Sequence, residues 1–222
     1  MSNNLLIIGD SGTGKSTSIR NLNPSETFII NVINKNLPFR GAGKLYTRLS
    51  PDGLTGNLYS SDDPKQIRRV LKLINEKRLE IKNLIIDDFG YIIMNDFMRK
   101  ALIKGYDKYS EIAKECADTL ETIKTMREDL FCALMMHIET DKQGKTKPKT
   151  VGNMIDQYVC IEGNFTHVFH TIVNDGKYRF ITNNDGCHMA KNPMGMFNEL
   201  YIDNDLESIK ESINSYYGDI AA

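Results

Sequence analysis

Gly9-Asp10-Ser11-Gly12-Thr13-Gly14-Lys15-Ser16-Thr17 decides how this chain is read. It fits G-x-x-x-x-G-K-S, with Gly9, Gly14, Lys15 and Ser16 in place. The apolar run Leu5-Leu6-Ile7-Ile8 leads into it, and a helix-compatible run, Lys15 to Asn21, follows. Strand, glycine loop and helix in that order are the context of a phosphate loop. Glycines let backbone N–H groups turn inward around a phosphate chain, and the helix start adds partial positive charge. Lys15 is expected to reach the β- and γ-phosphates. The Ser16 hydroxyl is expected to ligate Mg²⁺, with Asp10, Ser11, Gly12, Thr13 and Thr17 completing the nucleotide contacts.

A second acidic site follows from Leu84-Ile85-Ile86-Asp87-Asp88, an apolar run that ends in carboxylates. A strand next to the one that enters the loop would carry Asp87 to the nucleotide, where it can hold Mg²⁺. Hydrolysis needs a group to orient or deprotonate water. Asp88 is the nearest candidate and Glu139 the runner-up. Neighbouring strand residues face opposite ways, so Asp87 and Asp88 meet one site only if the strand ends between them. His137 closes the apolar run Phe131 to His137, where a polar group could contact the γ-phosphate.

Outward from these motifs the chain alternates. Strands are expected at Asn4–Ile8, Thr27–Ile33, Asn83–Asp88 and Phe131–His137, and later at Tyr158–Glu162, Phe165–Val173 and Lys177–Thr182. Asn34 to Gly56 reads as a long excursion with a short strand near Lys44–Leu49. Asp62 or Asp63 caps a helix that has Pro64 in its first turn. Gly90 to Tyr106 reads as a loop with a short helix. Asp107 to Leu130 is the longest helical pattern, and Asp203 to Tyr217 is a terminal helix with Leu206, Ile209, Ile213 and Tyr216 facing inward. Asn174-Asp175-Gly176 signals a hairpin. The pattern predicts an α/β fold in three layers, its central sheet mostly parallel with antiparallel strands at one edge.

Bulk properties bound the rest. The 222 residues suit a single α/β domain, or one domain with a small appendage, and 41% hydrophobic content is ordinary for a soluble domain. The net charge of −1 requires any nucleic-acid contact to be a local basic patch. No apolar run approaches the ~18 residues of a membrane helix, so no membrane partner is expected. The first eight residues are too short and uncharged for a signal peptide, and no domain is expected ahead of the core. The 4 cysteines, Cys116, Cys132, Cys160 and Cys187, form no C-x-x-C pair, which suits reduced thiols in a cytoplasm.

Two basic features invite nucleic-acid and subunit readings. Asp141 to Thr150, DKQGKTKPKT, places Lys142, Lys145, Lys147 and Lys149 in a segment that follows His137 and cannot pack a core. A flexible basic loop at the nucleotide face suits contacts to a phosphate backbone, although it lacks an aromatic for stacking. A solvated surface loop is the plainer alternative. Lys177 and Arg179 share one strand face and could reach a neighbouring subunit's γ-phosphate as a trans finger. The plainer alternative is a charged edge strand. His167 and His170 fall on opposite strand faces, so they are not expected to share a metal, and Cys187-His188 is a lone pair in a turn.

The ordered set IIGDSGTGKST, FIINVINKNLPFRG, LIIDDFG, MMHIETDKQGKTKPKTVG and AKNPMGMF resembles the RecA-like ATPases. Within them it is most similar to the short phage single-strand annealing recombinases built from a RecA core alone. The resemblance implies one RecA-like domain over residues 1–222, with ATP and Mg²⁺ held by Gly9–Thr17 and Asp87. It also implies single-stranded DNA as partner, and homo-oligomers in which Lys177-Tyr178-Arg179 acts as a K-x-R finger. The segments after Asp88 and after His137 would match the two DNA-binding loops. Two departures stand out. RecA proteins carry a catalytic Glu just past the second strand, where this chain reads Asn34-Lys35-Asn36. They also polymerise through an N-terminal segment for which there is no room before Asn4. Rival readings are a nucleoside or nucleotide kinase, and a non-hydrolysing DNA-binding protein switched by ATP.

Overall fold

The structure, a computed structural model, describes residues 3–142 and 144–218. Nine strands form one mixed sheet: β1 Asn3–Gly9, β2 Thr27–Asn31, β3 Leu58–Tyr59, β4 Asn83–Asp87, β5 Phe131–Thr140, β6 Thr146–Pro148, β7 His167–Asn174, β8 Lys177–Ile181 and β9 Tyr201–Asp203. The order is β3-β2-β4-β5-β1-β7-β8-β9, with β6 paired to β5 off this path. Pairing is parallel from β3 through to β7 and antiparallel from β7 to β9. The expected mostly parallel sheet with an antiparallel edge is therefore present.

Apolar runs explain the centre. Leu5–Ile8, Ile29, Ile30, Leu84–Ile86 and Cys132–Met136 are buried on both sheet faces. Alternate side chains then feed two cores. One takes Leu6, Ile8, Leu84, Ile86 and Leu134 against the helices α2 Pro64–Lys77, α3 Gly90–Arg99 and α4 Asp107–Lys124. The other takes Leu5, Ile7, Ile85 and Phe169 against Ile19 and against the terminal helix Leu206–Gly218. Asp63 caps α2 by accepting from the Lys65 amide at 2.8 Å, with Pro64 in the first turn.

Several expectations change. The run after Lys15 is a 3₁₀ helix, Ser16–Asn21. Residues Ala42–Leu45 form a helical turn (α1), not a strand, and only Arg48 bridges to Leu58. Tyr158–Glu162 is no strand. Val159 and Ile161 are buried, and the backbone turns through a 3₁₀ helix at Glu162–Asn164, tied by Asn164 Nδ2 to the Cys160 carbonyl at 2.7 Å. β9 has no strong strand pattern and forms because it completes the pairing of β8, so Lys177–Ile181 is not an edge strand. Tyr216 is 37% exposed, outside the buried stripe of Leu206, Ile209 and Ile213. Part of the basic segment is strand rather than loop: Thr146–Pro148 folds back as β6, antiparallel to β5, with Lys147 opposite Glu139.

Candidate phosphate-loop site

The carboxyl ends of β1, β2, β4 and β5 meet at the glycine loop. β4 does not neighbour β1 as the sequence suggests; β5 lies between them, and β7 flanks β1 on its other side. His137 is thereby placed beside Gly9, and Asn31 beside Asp87. Across that gap Ser16 Oγ still donates to Asp87 Oδ1 at 2.9 Å. Asp87 is fully buried, and its Oδ2 has no hydrogen-bond partner. Burial, then the charge of Asp88, pushes its carboxyl above the usual range.

The loop itself is built by close approach. A Cβ on Gly9 would stand 2.1 Å from Thr171 Oγ1 on β7, so only glycine fits. Gly14 has φ +98°, and a Cβ there would stand 2.9 Å from the Tyr178 ring and 3.2 Å from the Asn204 amide. Thr13 Oγ1 and Thr171 Oγ1 share a hydrogen bond of 2.6 Å, fastening the loop to β7. Asp10, Ser11 and Gly12 are exposed, Thr13 and Thr17 half-buried, and Gly14, Lys15 and Ser16 buried. Lys15 Nζ donates to the carbonyls of Gly9 and Asp10 at 2.8 and 2.7 Å. Burial pushes its ammonium down to about 8, against the attraction of Asp88 and Asp87.

Asp88 joins Asp87 because the strand ends between them. Its φ of +65° lies in the left-handed region, which non-glycine residues enter at a cost. That twist turns a residue that strand alternation would aim away. Asp88 Oδ2 is ion-paired with Lys35 Nζ. Asp88 Oδ1 lies 3.4 Å from His137 Nε2, in contact but not aligned as a hydrogen bond. Burial alone would raise the Asp88 carboxyl. His137 and Lys35 outweigh it and hold the group below the usual range. Tyr91, in the first turn of α3, packs edge-on against the His137 ring at 6.1 Å. Lys35 is the residue that sequence reading passed over, since only an acid was sought in Asn34-Lys35-Asn36.

The remaining candidates lie elsewhere. Glu139 is engaged by Lys147 Nζ at 3.0 Å, and the same ammonium reaches Asp156 at 2.6 Å. Those contacts hold Lys147 above its usual range and leave Lys142, Lys145 and Lys149 as the exposed lysines of the hairpin. Tyr178 packs toward Gly14, and the alternation of β8 puts Lys177 and Arg179 on the opposite face. Between loop and hairpin runs a cleft of about 450 Å³ lined by Asp10, Thr13, Thr140, Thr146, His170 and His188. The His170 and His188 rings meet edge-on at 4.8 Å, and Asp185 binds His188 Nδ1 at 2.7 Å. No helix among the described residues is long and apolar enough to cross a membrane.

A loop lysine, a serine hydroxyl set on a carboxylate and a buried unpartnered carboxylate oxygen suit a divalent cation bound with a phosphate chain. No family model matches the chain, and no curated protein matches it significantly.

Proposed function

We propose that the chain is a P-loop NTPase of RecA-like type that binds ATP with Mg²⁺ and hydrolyses it slowly, with single-stranded DNA as its partner. The observation that carries the reading is the Ser16 Oγ–Asp87 Oδ1 bond of 2.9 Å beside Lys15, with Asp87 Oδ2 left unpartnered. Ser16 and Asp87 would hold Mg²⁺ by hard oxygen ligands, and the bound ion would neutralise charge developing on the phosphoryl oxygens. Lys15 would leave the loop carbonyls for the phosphates. Asp88, kept ionised by its neighbours, can accept a hydrogen bond from water.

Lys142, Lys145 and Lys149 are the lysines offered to DNA, and Lys177 with Arg179 to a neighbouring subunit. Because those two point away from their own loop, a finger role requires a second copy. The ion pair of Lys35 with Asp88 favours a second reading, in which ATP acts mainly as a conformational ligand and turnover is minimal. A kinase is supported less. Arg20, next to the loop, is committed to the carbonyls of Thr17 and Asn204 at 3.2 and 2.6 Å and cannot serve an acceptor.

The test is ATP hydrolysis with and without single-stranded DNA, first at low salt, for the parent and Lys15→Ala. DNA-stimulated release of phosphate that Lys15→Ala abolishes is the expected result. ATP binding with no turnover leaves the switch reading. Phosphate transfer to a nucleoside acceptor identifies a kinase.

A further inference from the structure

We propose that Lys35 reads the terminal phosphate: when a nucleoside triphosphate binds, its ammonium exchanges Asp88 for the γ-phosphoryl group, so that the chain distinguishes triphosphate from diphosphate. The inference rests on the phosphate-loop reading above.

Lys35 is built to offer its head group while its backbone stays put. Asn31, the last residue of β2, brackets it twice: Nδ2 donates to the Lys35 carbonyl at 2.5 Å, and the Lys35 amide donates to Oδ1 at 3.3 Å. Asn34 takes a left-handed φ of +54° to set the turn. The Lys35 side chain is 39% exposed, whereas Asp88 is sealed. The contact therefore joins a buried carboxylate to a partly exposed cation. Burial opposes the charge on Lys35, but Asp88 and then Asp87 outweigh it and keep it an ammonium.

Charge balance supplies the driving force. Lys15 and Lys35 face Asp87 and Asp88, close enough for all four to act on one another. These four formal charges cancel. A magnesium-bound triphosphate adds net negative charge at the same mouth, where the loop amides serve the inner phosphates and Lys15 reaches the β- and γ-phosphates. The second cation at that mouth is Lys35, a compact point charge on a flexible stem suited to changing partners. On this reading a diphosphate lacks the group that Lys35 would meet.

The test is isothermal titration with ATP and with ADP, both with Mg²⁺, of the parent, Lys35→Met, Lys35→Arg and Lys15→Ala. The parent is expected to favour ATP over ADP at least about tenfold. Lys35→Met should bring that ratio close to one with ADP affinity within about twofold of the parent, and Lys35→Arg should keep most of the preference. Lys15→Ala should weaken both nucleotides together. A parental ratio in Lys35→Met, or equal loss of ATP and ADP in it, overturns the proposal while leaving the phosphate loop intact. A parent that binds neither nucleotide overturns the loop reading and the proposal with it. Thermal melts verify folding, and Lys35→Gln replaces Lys35→Met if the latter does not fold, with the same ratio deciding.

Discussion

Two clusters of lysine and carboxylate stand at the ends of neighbouring strands, and they differ in what they leave undone. In the hairpin, Lys147 binds Glu139 and Asp156 at once. That group is no more than about a third exposed, and its two carboxylates share one ammonium. At the loop, Lys15 is turned onto carbonyls, Asp87 is fully buried, and Asp87 Oδ2 and Asp88 Oδ1 have no hydrogen-bond partner. Leaving a buried polar oxygen unpaired costs about 1–3 kcal/mol, more when it is charged. On the reading proposed above, a bound cation offsets that cost. In the hairpin cluster the ammonium of Lys147 is already engaged by two carboxylates.

The strongest way to break the comparison is Lys15→Ala. Nucleotide affinity should fall about 100-fold, equivalent to about 3 kcal/mol, in a fluorescence or calorimetric titration. The same substitution at Lys147 should leave nucleotide affinity unchanged, and equal losses at both positions would erase the distinction.

The cleft between the two clusters gives the next effect. His170 is buried with Nδ1 unpartnered. Burial first, then the neighbouring His188, lowers it from 6.5 to about 4, against the carboxylates of Asp10 and Asp185. The unfolded chain takes up a proton near 6.5, and the folded chain resists until about 4. The stabilisation is therefore complete above pH ~6.5 and is lost as pH falls towards ~4, by about 2–3 kcal/mol. Denaturant melts across that window should show the slope in the parent and a flattened one in His170→Leu.

Asp87→Asn sharpens the loop side. The amide keeps a partner for Ser16 but is a poor cation ligand. The Mg²⁺-dependent gain in ATP affinity should shrink about tenfold, about 1.4 kcal/mol, with the melting midpoint of the apo protein little changed. An undiminished Mg²⁺ effect would remove Asp87 from the metal site.

The smallest effects belong to the hairpin. Lys147→Met should cost no more than about 1 kcal/mol of stability, since its partners are partly solvated. Lys142→Ala or Lys145→Ala should each lower the salt slope of single-stranded DNA binding by about 0.7, with Lys147→Met lowering it less. A larger effect at Lys147 would mean that DNA opens the ion triad.

Lys15, Ser16 and Asp87 were legible because each sits in a local pattern: a glycine motif after an apolar strand, and a carboxylate at the end of one. The helices were legible from spacing and caps, such as Asp63 with Pro64. Lys35 was not legible, because nothing within a few residues of it marks it. Its partner is 53 positions away and is turned toward it by one left-handed residue. The hairpin was misread for a related reason. Four lysines look solvated in sequence, but Glu139 and Asp156 neutralise one of them only after β6 folds back on β5.

Local pattern sets the strand–loop–helix start, the alternation of apolar runs that fills two cores, and the residue types of the loop. These follow from periodicity and backbone freedom, which act over a few residues. Only the tertiary structure decided that β5 enters between β1 and β4, and that Ser16 nonetheless meets Asp87 from 71 residues away. It alone set Lys35 and His137 on either side of Asp88. Sheet order and strand ends fix those meetings, through the burial of whole faces rather than through any local signal.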